Sequence, residues 1–361
     1  MEIKRRKITV TVSNDLVTDQ RMARICTTLA ESGYEVDLVG RKLNKSLSIV
    51  ENSYKQNRLN LWFTTGPIFY LELNIRLLIY LLLTKPSVIY VVDADTALAG
   101  MFAKKILQAK LIYDAHELFS EVTELQGRNW IKKIWKWIEK HVIYHSDIRI
   151  TVTESIANYF EKLYGFKFEV IYNYSNPRLN VYEQPTEKYI LYQGALNKGR
   201  GLEELIKASS SFDIKLKIAG DGDLTHHLIK LAESNPRIEF VGKLIPSELE
   251  KLTANAWLGY NLLENNCLSY CYSLSNKTFD YMQAGVPQLI PDLLEYVKLN
   301  SKWSIGMVIP LNSMSISKAV IDLQTQTELY ASLRENALSA SKKMLWSNES
   351  QKLQNLMLEL R

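Results

Sequence analysis

Short runs rich in β-branched and aromatic residues alternate with longer segments of helical period along nearly the whole chain, a pattern that predicts parallel sheets flanked by helices. In the first half, strands are predicted at residues 7–12, 35–39, 87–92, 110–113, 149–152 and 169–172, and helices at 20–32, 71–83, 97–107 and 129–145. A polar stretch then follows, NYSNPRLNVYEQPTEK at residues 173–188, with two prolines and no periodicity. Such a stretch reads as a linker. Beyond it the rhythm restarts with strands at 189–193, 215–219, 238–241, 258–261, 288–290 and 307–309. Helices are predicted at 202–209, 224–234, 246–254, 276–284 and 316–324, with a long one from 327 onward. The expected class is therefore α/β, with two Rossmann-like domains facing a central cleft, where open α/β sheets present their strand ends to ligands.

Composition narrows the picture. At 361 residues, 47% hydrophobic and 23% charged, the chain has the make-up of a globular protein of two or three domains. The net charge of +5 lies wholly in residues 1–173, which hints at an anionic surface near that half but is too weak to argue for nucleic acid. Cys26, Cys267 and Cys271 form no CxxC pair and no zinc spacing, so neither a disulfide framework nor a structural metal is expected and a reducing cytoplasm fits best. The basic start MEIKRRK runs straight into an alternating segment, so no export signal is read. The most apolar stretch, residues 68–92, is interrupted by Glu72, Asn74, Arg76, Lys85 and Pro86, and no membrane-crossing segment is expected.

Three loops of the second half carry phosphate or ribose chemistry. The first, GALNKGRG at residues 194–201, follows a strand and precedes a helix. Gly194 and Gly201 let backbone N–H groups approach an anion, and Lys198 and Arg200 add charge. The second, Gly220, Asp221, Gly222 and Asp223, also follows a strand and offers a carboxylate to ribose, although the same residues make an ordinary turn. The third, SLSNKTFDYMQAGVP, sets Ser275, Asn276 and Lys277 at a helix start with Asp280 one turn later. A helix N-terminus with a lysine can hold a diphosphate, and the carboxylate can take two ribose hydroxyls. The alternative is a plain capped helix, with Ser275 or Asn276 as N-cap, Gly285 as C-cap and Asp280 on a solvated face.

The segments GALNKGRGLEELIKA, KIAGDGD, IEFVGKL and NKTFDYMQAGVP, in this order and spacing, resemble the donor-binding half of family 4 glycosyltransferases of the GT-B fold. SNDLVTDQRMARICTTLAESGYEVDLVG, YDAHELFSE and TVTESIANYF resemble the first half of a bacterial glycan-biosynthesis subgroup. The resemblance implies two domains, 1–173 on the acceptor side and 174–340 for the nucleotide sugar, with a terminal helix at about 341–361 packing back on the first. It also implies transfer of a sugar from a nucleotide diphosphate sugar with retention of anomeric configuration, without a metal or other cofactor. By the resemblance, Arg200 contacts the donor phosphates, Lys243 joins the donor site, and Asp280 matches the second acid of a paired-Glu motif whose first position is Tyr272 here. Ala195 stands where many members carry a second phosphate-binding Arg, a charge that Lys198 and Lys277 restore.

In the first half, Asp114, His116 and Glu117 follow a strand and should point into the cleft. The resemblance sets His116 beside the reacting sugar and makes residues 17–21, with Asp19 and Arg21, a loop closing over donor and acceptor. Asp93 and Asp95 end another strand and suggest helix capping before Thr96 rather than a metal pair. On one face of residues 130–141 lie Trp130, Ile134, Trp137, Ile138 and His141, and on the other Lys132, Lys133, Lys136 and Lys140. Such a helix suits the surface of an anionic membrane, or else is a core helix with a solvated lysine face. Residues 71–83 give a second apolar surface or a buried helix.

The expectation is thus a cytoplasmic retaining enzyme, peripheral at the inner face of the cytoplasmic membrane. It takes a UDP- or GDP-sugar and a glycan or lipid-linked acceptor. A nucleotide-sugar epimerase on the same fold and a non-catalytic nucleotide-sugar binder stay open. A dinucleotide dehydrogenase is disfavoured, since SNDLVTDQRM stands where GxGxxG would follow the first strand.

Overall fold

The run VIYVV at residues 88–92 is buried throughout, as a strand in the middle of a helix-flanked parallel sheet must be. In the computed structural model, which describes residues 5–43, 46–177 and 187–360, this run belongs to a seven-stranded sheet. Residues 178–186 of the expected linker and 1–4 of the basic start lie outside the described residues. The strands are β1 (Lys7–Thr11), β2 (Glu35–Arg41), β3 (Lys55–Leu59), β4 (Val88–Val92), β5 (Lys110–Ala115), β6 (Ile148–Thr151) and β7 (Glu169–Val170). They are parallel and ordered β3-β2-β1-β4-β5-β6-β7. Helices α1 (Gln20–Glu31), α2 (Gly66–Thr84), α3 (Ala97–Leu107), α4 (Asn129–His145) and α5 (Glu154–Tyr164) connect them.

Three elements depart from expectation, the first being α5, a helix not expected between the strands at 149–152 and 169–172. The edge strand β3, KQNRL, has no apolar alternation, and none of its residues is buried. Helix α2 starts earlier than its leucines suggest, with Pro67 in its first turn, and its 19 residues are long and apolar enough to cross a bilayer by length and composition. The interrupting polar residues had pointed the other way. Its Phe69, Leu73, Leu77 and Leu81 are buried in the core, while Leu71, Ile75 and Ile79 are exposed.

The second sheet is also parallel and holds β8 (Tyr189–Gln193), β9 (Lys215–Ala219), β10 (Ile238–Gly242), β11 (Leu258–Tyr260), β12 (Gln288–Pro291) and β13 (Gly306–Ile309), ordered β10-β9-β8-β11-β12-β13. Around it lie α6 (Leu202–Ala208), α7 (Thr225–Ala232), α8 (Pro246–Ala254), α9 (Leu268–Tyr272), α10 (Asn276–Gln283), α11 (Leu294–Trp303), α12 (Ser313–Thr325) and α13 (Thr327–Ser341). The core fills with Tyr192, Leu216, Ile218, Leu258, Tyr260 and Leu289. Helices α9 and α11 carry no sequence signal strong enough to have been expected.

The long helix read by periodicity from residue 327 ends at Ser341 as α13, and α14 (Trp346–Leu358) lies within the terminal segment of about 341–361 that the resemblance implies. The break marks a change of unit. The chain divides into residues 1–172 with 347–361, and residues 173–346. Helix α14 is fastened to the first unit by Tyr172 N–H donating to Glu349 (3.0 Å) and Arg6 donating to the Leu360 carbonyl (2.9 Å).

Each sheet has a point where neighbouring strands send the chain in opposite directions, β1 beside β4 in the first unit and β8 beside β11 in the second. Loops leaving the C-terminal ends of such strands leave a crevice that suits ligands. The candidate residues cluster at these two points.

Candidate functional site

In the second unit, the loops after β8, β9 and β10 are stitched together by backbone bonds. Gly194 N–H donates to Ala219 O (2.9 Å), Leu196 N–H to Asp221 O (3.2 Å) and Gly220 N–H to Gly242 O (2.8 Å). A Cβ on Gly220 would run into the Gly194 carbonyl, so only glycine permits this approach. The loop after β11 joins through Glu264 N–H to Gly199 O (2.9 Å), and Tyr270 of α9 packs where a Cβ on Gly199 would go. Residues 194–201 are therefore held on two sides.

The cations of this site sit on aromatic faces. The Lys277 ammonium lies 4.2 Å from the Tyr192 ring centroid and the Arg200 guanidinium 5.1 Å from that of Tyr270. Lys277 is only 6% exposed, and among the described residues no carboxylate pairs with it. Burial, and then the Arg200 charge, holds its pKa well below the ordinary lysine value. A buried cation beside a second cation is costly unless an anion joins them. Lys198 is exposed and Lys243 half-buried on the neighbouring loops.

Lys277 stands in the first turn of α10. The Ser275 hydroxyl, which could have capped this helix, turns back to Asn261 Oδ1 (2.9 Å). The buried Asn276 Oδ1 has no hydrogen-bond partner among the described residues. The plain capped helix is thus corrected at its N-terminus, while Gly285 does take the left-handed conformation at the other end. Asp280 is not on a solvated face either. It is buried, with Oδ1 accepting from Ser175 Oγ (2.8 Å) and Oδ2 from Gln193 Nε2 (3.0 Å). Asp221 accepts from Thr225 Oγ1 (2.9 Å) and the Gly222 N–H (3.1 Å), which closes a turn. Tyr272, at the end of α9, is half-buried.

The first unit gathers its candidates around Asp114, at the end of β5 and fully buried. Its Oδ2 accepts from Tyr90 OH (2.8 Å) and Arg21 Nε (3.2 Å), its Oδ1 from Arg21 Nη2 (2.9 Å), and His116 Nε2 lies 3.0 Å from Oδ2. Burial opposes ionisation of Asp114, but Arg21 and His116 outweigh it and hold its pKa well below the usual carboxylate range. Burial likewise opposes the charged form of His116, yet Asp114 and then Asp93 raise its pKa. Asp93 adopts a left-handed backbone (φ 55°) and accepts from the His116 N–H (2.8 Å). Asp93 therefore fixes the histidine, whereas capping before Thr96 had been expected. The Thr96 hydroxyl goes to the Val92 carbonyl instead. Burial raises the pKa of Asp93 well above the carboxylate range and that of neighbouring Asp95 to about 6.

Two residues of the expected closing loop are fixed parts of α1. Asp19 is its N-cap, accepting from Met22 N–H (3.0 Å), and Arg21, 2% exposed, also donates to the Ile171 carbonyl (2.8 Å). Glu117 is half-buried beside His116. The residues missed in the sequence are Tyr90, Tyr192 and Gln193, which read there as ordinary strand residues; only their places at strand ends could have marked them. Helix α4 buries Trp135, Ile138, Glu139 and Val142, leaving Trp130, Ile134 and Trp137 outward. Ile138 thus leaves the expected outer face. Among the described residues no group of three or more His, Cys, Asp or Glu could hold a metal ion.

Residues 19–177 match the family model for Glycosyltransferase Family 4. A chitobiosyldiphosphodolichol beta-mannosyltransferase of Candida albicans is 22% identical over 396 residues, spanning 94% of this chain and 85% of that protein. Among solved structures, sucrose-phosphate synthase from Thermosynechococcus elongatus superposes with a TM-score of 0.77 at 15% identity, covering 99% of each chain. HepE of Anabaena, solved in complex with UDP-glucose, gives 0.74 at 13% identity, covering 98% of this chain and 99% of that one. A putative UDP-N-acetylglucosamine 2-epimerase from Listeria monocytogenes gives 0.64 at 14% identity, covering 97% and 95%. The chain has the GT-B fold and is related to glycosyltransferase family 4.

Proposed function

We propose that the chain is a retaining glycosyltransferase that moves a sugar from a UDP- or GDP-sugar to a hydroxyl of a growing, lipid-linked glycan in polysaccharide biosynthesis. The observation that carries this reading is the buried Lys277 ammonium beside Arg200, with no carboxylate partner among the described residues, in the first turn of α10. A diphosphate supplies the missing negative charge, and the Asn276 amide, the α10 N–H groups and Lys198 add donors around it. HepE, of the same fold, was solved with UDP-glucose.

In the reaction, the bond between the anomeric carbon and the diphosphate oxygen breaks as the acceptor oxygen bonds to the same face of that carbon. The acceptor proton passes to the departing phosphate oxygen. Arg200, Lys198 and Lys277 neutralise the charge gathering on the leaving group, the part a divalent cation plays elsewhere. His116, held by Asp114 at its ring and by Asp93 at its backbone, positions the donor sugar. Gly194, Gly201, Gly220, Gly222, Lys243 and Ser275 shape the nucleotide site. Asp280 and Asp221 serve the ribose.

An epimerase reading is favoured by the fold shared with the Listeria protein and by Asp93 and Asp95, whose raised pKa values suit proton transfer. One experiment separates the readings. Incubation with UDP- and GDP-sugars should release nucleotide slowly, and faster with an acceptor glycan. Isomerised sugar without nucleotide release would establish the epimerase, and binding without turnover would leave a nucleotide-sugar binder.

A further inference from the structure

One surface of the first unit takes no part in this chemistry. Helix α3 packs between α2 and α4, and the outer sides of all three are apolar. On α2, Leu71, Ile75 and Ile79 form a stripe one turn apart, 63%, 50% and 52% exposed, while the opposite side of the helix is core. Phe102 and Ile106 continue the patch on α3, and Trp130, Ile134 and Trp137 on α4. Isolated exposed apolar residues need no explanation, but a patch running over three adjacent helices does.

The charges around the patch are one-sided. The carboxylate of Glu72 accepts from the N–H groups of Trp62 and Phe63 and from Arg76, and Glu121 is held by Lys132 and Lys136. Both acids are neutralised. Lys105, Lys133, Lys140 and Arg128 stay exposed, against Glu124. A second copy docking here would bring two cationic rims together, whereas an anionic bilayer complements both the rim and the apolar centre. Tryptophans at the edge of an apolar face suit the headgroup level.

We propose that the outer face of α2, α3 and α4 lies on an anionic lipid bilayer, with α2 in the plane of the interface rather than across it. The apolar stripe of α2 anchors the surface, and Lys133 and Lys140, rather than the Glu121-bound Lys132 and Lys136, supply the electrostatic part. The proposal does not depend on the donor chemistry, and a lipid-linked acceptor would be presented at such a surface.

The test is flotation of the full chain with phosphatidylcholine vesicles containing a quarter phosphatidylglycerol, beside pure phosphatidylcholine vesicles. The wild type should float with the anionic vesicles at low salt. Leu71→Gln/Ile75→Gln/Ile79→Gln should lose roughly a hundredfold in partitioning. Lys133→Gln/Lys140→Gln should lose roughly tenfold at low salt and little at high salt. Circular dichroism melts and nucleotide release from the donor sugar, unchanged in both variants, would show that they fold. Equal flotation of the triple variant and the wild type, no flotation of the wild type, or a dimer in solution that the triple variant disrupts would each overturn the proposal.

Discussion

The two units end their central strands on opposite electrostatic designs. In the first, the buried guanidinium of Arg21 faces a buried carboxylate, and Asp114 satisfies Arg21, Tyr90 and His116 at once. In the second, the buried ammonium of Lys277 faces an aromatic ring and another cation. A closed network of this kind fixes geometry, because every charge already has its partner. An open one carries an unfavourable energy in the free protein that a ligand relieves. The difference teaches where to look for the anion: in the second unit, not around the equally buried arginine of the first.

The largest effect should come from opening the closed network. Arg21→Ala leaves Asp114 buried without its cation, and breaking such a pair typically costs about 3–5 kcal/mol. Chemical denaturation should report a loss on that scale. A loss below about 1 kcal/mol would mean that water already reaches Asp114 and that the two designs differ less than described.

Next come the cations of the open site. Lys277→Ala and Arg200→Ala should each lower turnover by roughly two to three orders of magnitude at saturating donor. Lys277→Met should at the same time raise the melting temperature of the free protein, since it removes a buried unpaired charge. A lower melting temperature in that variant would show that Lys277 is paid for by contacts within the fold, and the contrast would fail.

Asp280 sharpens the comparison, because it is a carboxylate in the cationic unit that is nonetheless engaged internally by Ser175 and Gln193. Asp280→Asn should cost about 1.5–3 kcal/mol of stability and raise the donor KM. A fall in kcat at unchanged KM, with a carboxylate pKa lost from the pH profile, would make it a proton-transfer residue.

The smallest effect is the pH dependence of the closed network. Asp114 has a depressed folded pKa, so its contribution is full above the unfolded value near 3.9 and fades as pH falls through the folded value. His116 has a raised folded pKa, so its contribution is full below about 6.5 and is lost as pH rises past the folded value. His116→Gln should therefore flatten the alkaline decline in melting temperature. An unchanged decline would assign it to other groups.

Much of this was legible in the sequence where packing alone decides. The buried strands announce themselves by apolar runs such as VIYVV and YILYQ, and the glycine-rich loops by residues few other turns need. Lys277 was legible from its place at a helix start. Its lack of a carboxylate partner was not, because the residues around it, Tyr192 and Arg200, come from a different strand and loop. Arg21 and Asp114 are 93 residues apart, and no periodicity links a helix start to a distant strand end. Strand β3 was invisible for the opposite reason, since an edge strand can be polar. Periodicity alone runs one helix on from residue 327, and a separate terminal helix from about residue 341 is legible only through the family resemblance.

The central claim is that the Lys277–Arg200 site receives a diphosphate. Isothermal titration of the full chain with a UDP-sugar and a GDP-sugar, over a series of pH values in two buffers of different ionisation enthalpy, tests it most directly. A bound diphosphate raises the depressed pKa of Lys277, so the account predicts that one of the two sugars binds with net proton uptake, and that Lys277→Met weakens binding and abolishes the uptake. Binding with unchanged affinity and unchanged proton uptake in Lys277→Met, or binding of neither sugar, would contradict it.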